Sequence, residues 1–149
     1  MFRIRFFTPE IPDENALPQA GAELQLGPDR LHFVVDLQHW PMAAYERQWR
    51  EGIGRVAHGA ESTALTTAYR GSGDEPHRMW ALWREGDHIY VQEVSVLPAD
   101  LDAAFDPSAP YEHVGDRVPA SEEGLPIAEY RYDLIPLLAA YFFPQLPWR

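Results

Sequence analysis

The chain opens on alternation at period two. Aromatic and branched side chains alternate with Arg3 and Arg5 from Phe2 to Thr8, which predicts a half-buried strand. From Thr8 to Gly21 the pattern lapses: Pro9, Pro12 and Pro18 fall among few periodic apolar positions, and the stretch reads as loop. Glu23 to Leu26 reads as a short strand and Gly27-Pro28-Asp29 as a turn. Alternation returns from Leu31 to Leu37, with Leu31, Phe33 and Val35 on one face and His32, Val34 and Asp36 on the other.

The period then changes. Between Pro41 and His58, Tyr45, Trp49, Ile53 and Val56 form one stripe of a helical wheel, with Met42 just before them and Arg47, Arg50 and Glu51 elsewhere. This is the strongest helix in the sequence. Pro41 suits its start and Gly59 its left-handed end, although Gly52 and Gly54 weaken its interior. Trp49 lies at the centre of the stripe and is expected to be buried against a sheet.

A meander of three strands follows, over Thr63 to Tyr69, Arg78 to Arg84 and His88 to Leu97, with a hairpin turn at Glu85-Gly86-Asp87. Trp80 and Leu82 share one face of the middle strand; Met79, Ala81 and Trp83 share the other. Trp83 therefore needs either a second layer, expected to be helical, or a role as an exposed anchor for a partner. Beyond Pro98 the chain is broken by Pro107, Pro110 and Pro119, and acids dominate to Gly124. Ile127 to Tyr132 reads as a strand. Asp133 is placed to cap a final helix through Phe142, which Pro144 and Pro147 end. Segregated strands and helices of this kind predict a single α+β domain over residues 1–149, an antiparallel sheet covered by a central amphipathic helix and a C-terminal helix.

Composition narrows the class. With 46% hydrophobic and 13% aromatic residues in 149, the chain builds an ordinary core. It has no Cys, which excludes disulfides and thiolate metal sites. All twelve basic residues are Arg, and the net charge is −11. Residues 98–133 hold nine acids against Arg117 and Arg131, and so most of the excess. That balance argues against nucleic acid and anionic membranes and permits a basic protein partner. The N-terminus lacks the apolar core of a signal peptide, and the apolar run from Leu134 to Phe143 is too short to span a bilayer. The expected compartment is the cytoplasm.

Candidate chemistry is sparse. There is no phosphate loop, nucleophile elbow or zinc-protease motif. The six His, at 32, 39, 58, 77, 88 and 113, show no metal-binding spacing. Asp100, Asp102 and Asp106 lack a calcium-loop pattern, and Glu122-Glu123 reads as a solvated pair. No catalytic residue, cofactor or metal is assigned, and the chain is expected to act by binding rather than catalysis.

One pattern points further. Tyr45-x-x-Gln48-Trp49 lies on the amphipathic helix; Gly59 and the run Ser62 to Thr67 follow. Then come Trp80-x-x-Trp83-Arg84-x-Gly86-Asp87, a strand containing Gln92, and Glu129-Tyr130-Arg131 leading into Leu134 and Ile135. Over about Leu31 to Tyr141 the chain resembles the immunity proteins of bacterial contact-dependent growth inhibition systems. The resemblance implies a small protein that binds and blocks a toxin domain delivered by a neighbouring cell, possessing no catalytic group of its own. It transfers no contact residue. Because many such toxins are nucleases with basic clefts, the acids Asp100, Asp102, Asp106, Glu112 and Asp116 are the candidate partner-binding residues. The competing readings are a small enzyme or ligand-binding domain with a helix–sheet pocket, and a subunit of a larger assembly using Trp83 or Tyr141-Phe142-Phe143.

Overall fold

The computed structural model describes residues 2–120 and 123–144. Glu122 and Pro147, read above as half of a solvated pair and as an end signal, lie outside the described residues. The elements are β1 (Phe2–Phe6), β2 (Ile11–Pro12), β3 (Pro18–Leu26), β4 (Asp29–Asp36), α1 (Met42–Ala57), β5 (Ser62–Ala68), β6 (His77–Glu85), β7 (His88–Val96), β8 (Tyr130–Asp133) and α2 (Leu134–Phe142). Two 3-10 turns, Pro98–Asp100 and Pro110–His113, interrupt the long acidic segment.

The α+β class, the antiparallel pairing and both helices are as the sequence predicts, but the strands divide between two sheets. In the first, β1 and β2 pair with β3, which pairs with β4; in the second, β5 to β8 form a meander. The division falls where β4 gives way to α1. There the Tyr45 hydroxyl donates to the Asp36 carbonyl, at the end of β4, and accepts the Tyr69 N–H, just past β5, at 3.0 Å. A side chain bridges the point at which the two sheets diverge.

The segment read as loop before Gly21 is the second difference. β3 runs for nine residues from Pro18, and Ala20, Ala22, Leu24 and Leu26 all face the core. Alanine and glycine carry little strand preference, so pairing with β1 and β4 decides the conformation there. Pro18 is tolerated as the strand's first residue.

α1 explains the Tyr-x-x-Gln-Trp spacing. β5 is an edge strand, and its outward backbone groups need partners. Gln48 supplies two: its Nε2 donates to the Ala64 carbonyl at 2.8 Å, and its Oε1 accepts the Thr66 N–H at 2.7 Å. Trp49 Nε1 donates to the Thr66 carbonyl at 2.7 Å. One face of α1 thus completes the ladder as a neighbouring strand would. Gly52 lets the helix approach that closely, because a Cβ there would stand 2.7 Å from the Ala64 carbonyl oxygen and 2.8 Å from Leu65 Cδ2. Gly59, at φ +106°, closes the helix as expected.

The core joins both sheets. Trp49 is buried as predicted, with Phe6 of β1 at 4.9 Å and Phe33 of β4 at 6.4 Å between ring centroids, while Phe33 meets Trp80 of β6 at 5.8 Å. Leu134 and Leu137 carry α2 onto the same core. Asp133 stands at the N-cap of α2 but makes no side-chain cap hydrogen bond.

Two substitutions test the seating of α1. Trp49→Ala should cost about 3–5 kcal/mol, the usual loss for a buried large aromatic, measured by denaturant unfolding. Gly52→Ala gains about 1 kcal/mol in an ordinary helix interior. Here the added methyl meets backbone, and a lowered unfolding midpoint is expected; a raised one would show that α1 is not held against the β5 edge.

Candidate functional site

The outer face of the second sheet carries Ala64, Met79 and Val96, all buried, together with Trp83 at 7% exposure. The layer that covers it is the acidic segment itself rather than a helix. Leu101, Phe105 and Val114 pack on the small cluster, and Trp83 Nε1 donates to the Gly115 carbonyl at 3.0 Å. Trp83 is therefore neither under a helix nor an exposed anchor. Apolar side chains spaced through a proline-broken, acid-rich segment supply a lid, while its carboxylates turn outward.

Three fastenings hold this cover. The Arg55 guanidinium of α1 lies 3.3 Å over the Tyr111 ring. Arg117 grips Glu129 through two hydrogen bonds, Nε to Oε2 at 2.7 Å and Nη2 to Oε1 at 2.6 Å, reaches Glu85 at 3.2 Å, and stands 3.6 Å over the Tyr90 ring. That hydrogen-bonded pairing holds the Glu129 carboxyl below its usual range and raises the guanidinium's. Gln92 Nε2 donates to Glu129 at 2.7 Å and to the Val118 carbonyl at 3.1 Å.

The third fastening is a stack that no spacing in the sequence reveals. Phe105 lies between His77, at 3.9 Å, and His113, at 4.8 Å; His77 also stacks on Tyr69 at 5.5 Å, with His39 6.2 Å beyond that ring. His77 is 1% exposed, and its Nδ1 accepts the Arg70 N–H at 3.1 Å. Burial, and then the charges of His113, Arg70 and His39, hold its imidazole below the ordinary histidine range. His113 Nε2 accepts the Asp106 N–H at 3.1 Å.

All five candidate acids are exposed. Asp100, Asp102 and Glu112 line one open depression of about 390 Å³, with His113 and Val114 beside them. Asp116 lies outside that depression. Asp106 has local work as well: its Oδ1 accepts from the Ser108 N–H at 2.9 Å and hydroxyl at 2.6 Å, which lowers its carboxyl from the usual value. Asp100, Asp102, Glu112 and Asp116 enter no ion pair among the described residues. No group of three or more potential metal ligands gathers among the described residues.

A larger cavity, about 520 Å³, opens between β1, α1 and α2. Phe2, Ile4, Trp49, Ile53 and Ala140 form its apolar wall; Arg3, Glu46, Arg50, Glu51 and Tyr141 are its polar residues. No Ser, Thr or His is among its described lining residues.

Comparison with known proteins decides the family: residues 35–138 match the CdiI N-terminal domain. The chain belongs to the CdiI N-terminal domain family. The match begins inside β4 and ends inside α2, so it spans α1, the β5 edge, the whole second sheet and its cover. The fold is also similar to a solved chain from the CdiA-CT/CdiI toxin and immunity complex of Enterobacter cloacae, with a TM-score of 0.83 at 20% identity over 95% of this chain and 96% of that one. No curated protein matches. No helix among the described residues is long and apolar enough to cross a membrane.

The stack predicts a pH dependence. A buried imidazole that resists protonation leaves the unfolded chain binding more protons below its ordinary pKa of about 6.5. Stability is then full above that pH and falls as pH drops through it. The melting temperature should decline between pH 7.5 and 5.5, above the range where the lowered carboxyls of Glu129 and Asp106 titrate. In His77→Asn, which keeps an acceptor near Nδ1, that slope should flatten; an unchanged slope would remove His77 as its source.

Proposed function

We propose that this chain is an immunity protein that binds and neutralises a cognate CdiA-CT toxin domain in the cytoplasm of the cell that makes both. Membership of the CdiI N-terminal domain family carries the proposal. The fold shared with a chain of a toxin and immunity complex supports it. Inhibition by binding requires a surface rather than a reacting group, and the acidic cover is a surface of defined sign.

The partner we propose is basic. Exposed carboxylates of the cover, in a chain of net charge −11, attract such a surface from a distance and raise the rate of encounter. The depression lined by Asp100, Asp102 and Glu112 has the size and charge to receive a protruding Arg or Lys. A nuclease cleft, shaped for phosphates, presents such side chains.

Co-expression tests the function directly. The chain should protect a cell from the toxin domain encoded beside its gene and co-purify with it; survival unchanged by the chain would overturn the proposal. The acidic surface has a separate test in the Asp100→Asn, Asp102→Asn, Asp106→Asn triple variant, which keeps the Asp106 turn acceptor. Charges screened over a Debye length of about 8 Å at physiological ionic strength act chiefly on encounter. Association should therefore slow and its salt dependence should weaken, with dissociation nearly unchanged. Rates and salt dependence equal to wild type would reduce the acids to a solvated surface.

A further inference from the structure

Steering carboxylates do not by themselves make a tight complex; that takes Arg and aromatic side chains at the centre of an interface. The open face of the first sheet collects them. Strand register sets its rows. Arg3 of β1 stands opposite Gln25 of β3 and, across it, Arg30 of β4; Arg5 stands opposite Glu23 and, across it, His32. In the next row the Phe7 N–H donates to the Gly21 carbonyl at 3.0 Å, and Val34 pairs with Gly21 from the other side.

The electrostatics of these rows reverse those of the rest of the chain. Glu23 is the carboxylate at their centre, and it is 4% exposed. Its oxygens lie 3.8 Å from Arg3, 3.8 Å from Arg5 and 2.9 Å from His32. Two guanidiniums and one imidazole thus face one buried carboxylate. Arg3 and Arg5 leave 39% and 47% of their side chains in solvent, and Arg30 is exposed. Asp36, a second carboxylate of the face, is buried and held by Arg70 at 3.0 Å, and Asp13, which lines a depression with Val34 and Asp36, accepts the Asn15 and Leu17 N–H groups. Beside this cationic surplus stands an apolar row, Phe7 at 50% exposure and Val34 at 60%. Phe7 rests on Gly21, where a Cβ would come within 2.9 Å of the ring. Its ring lies 5.0 Å from that of His32.

We infer that this face is the anchoring surface for the toxin domain, and that it receives an acidic segment in which carboxylates flank an apolar side chain. The inference rests on the toxin-binding reading above and adds to it a second contact of opposite sign. Charge complementarity selects the occupant. A carboxylate is repelled by most of a chain carrying −11 and finds surplus guanidinium donors here, in the planar geometry that carboxylates accept bidentately. Phe7 and Val34 would lose water against the apolar side chain.

The test uses the purified chain and the toxin domain encoded beside its gene. Arg5→Gln with Arg30→Gln removes two exposed charges while Arg3 and His32 still hold Glu23, and Val34→Ser removes the apolar contact. Each variant should melt as wild type does. Each should bind the toxin domain at least about tenfold more weakly, mainly through faster dissociation. Hydroxyl-radical footprinting of the wild-type complex, which needs no variant, should protect Phe7 and His32. Binding within twofold of wild type, with Phe7 and His32 as reactive in the complex as in the free chain, would overturn the inference. Light scattering that shows the substitutions dissolving a dimer, with toxin binding intact, would assign the face to a second copy and overturn it equally. Failure of the wild-type chain to bind the toxin domain at all would instead strike the functional reading, a distinguishable result.

Discussion

The architecture turns on one strand edge. β5 presents backbone groups that no strand pairs, and α1 satisfies them with the amide of Gln48 and the indole N–H of Trp49. Unpaired buried amides and carbonyls are costly, and an exposed edge invites pairing with another chain. Meeting that demand from a helix fixes the distance, rotation and register of α1 at once. Gly52 sits at the closest approach, and Tyr45, one turn before Trp49, reaches the seam between the sheets. The same rotation points Trp49 at Phe6 and Phe33, so the hydrogen bonds that close the edge also position the largest core side chain.

With α1 closing its β5 edge and its inner face packed toward the first sheet, the second sheet is left with an outer face to cover. An irregular segment covers it, and this accounts for its mixed composition. Phe105, Leu101 and Val114 are its inward residues, prolines stiffen it, and carboxylates keep its other side in water. Such a cover needs fastening, since a chain without regular hydrogen bonding gains little order from its backbone. Arg117 with Glu129, Arg55 on Tyr111, and Phe105 between two imidazoles provide it. The first sheet has no such cover. Its outer face stays open and carries the rows of arginines that the acidic side of the molecule lacks.

A protein that works by occupying another's surface needs sign and shape in the right places more than it needs reactivity. Here the two signs lie on separate faces because different constraints placed them. The acids ride on a segment whose inner side is committed to packing. The arginines of β1 and β4 alternate with core residues on strands, where period two forces every second side chain outward.

The sequence alone determined the helix at 42–57, the meander, the burial of Trp49, the acidic tract and the family, because each is written in local periodicity or in a short spacing. It did not reveal β3 before Glu23: Ala20, Gly21 and Ala22 are too small to mark a strand, and only their partners in β1 and β4 define it. It read one sheet where there are two, because strand pairing is set by contacts between distant residues, and the tyrosine hydroxyl that bridges the sheets at Asp36 and Tyr69 leaves no mark in local periodicity. It expected a helix over Trp83, because hydrophobic periodicity does not register a lid built from three separated side chains. His39, His77 and His113 look scattered along the chain and meet around Tyr69 and Phe105 only in the folded molecule. Tertiary structure decided whatever depends on contacts between residues far apart in sequence, since pairing, coverage and charge clustering are set by where strands and segments meet.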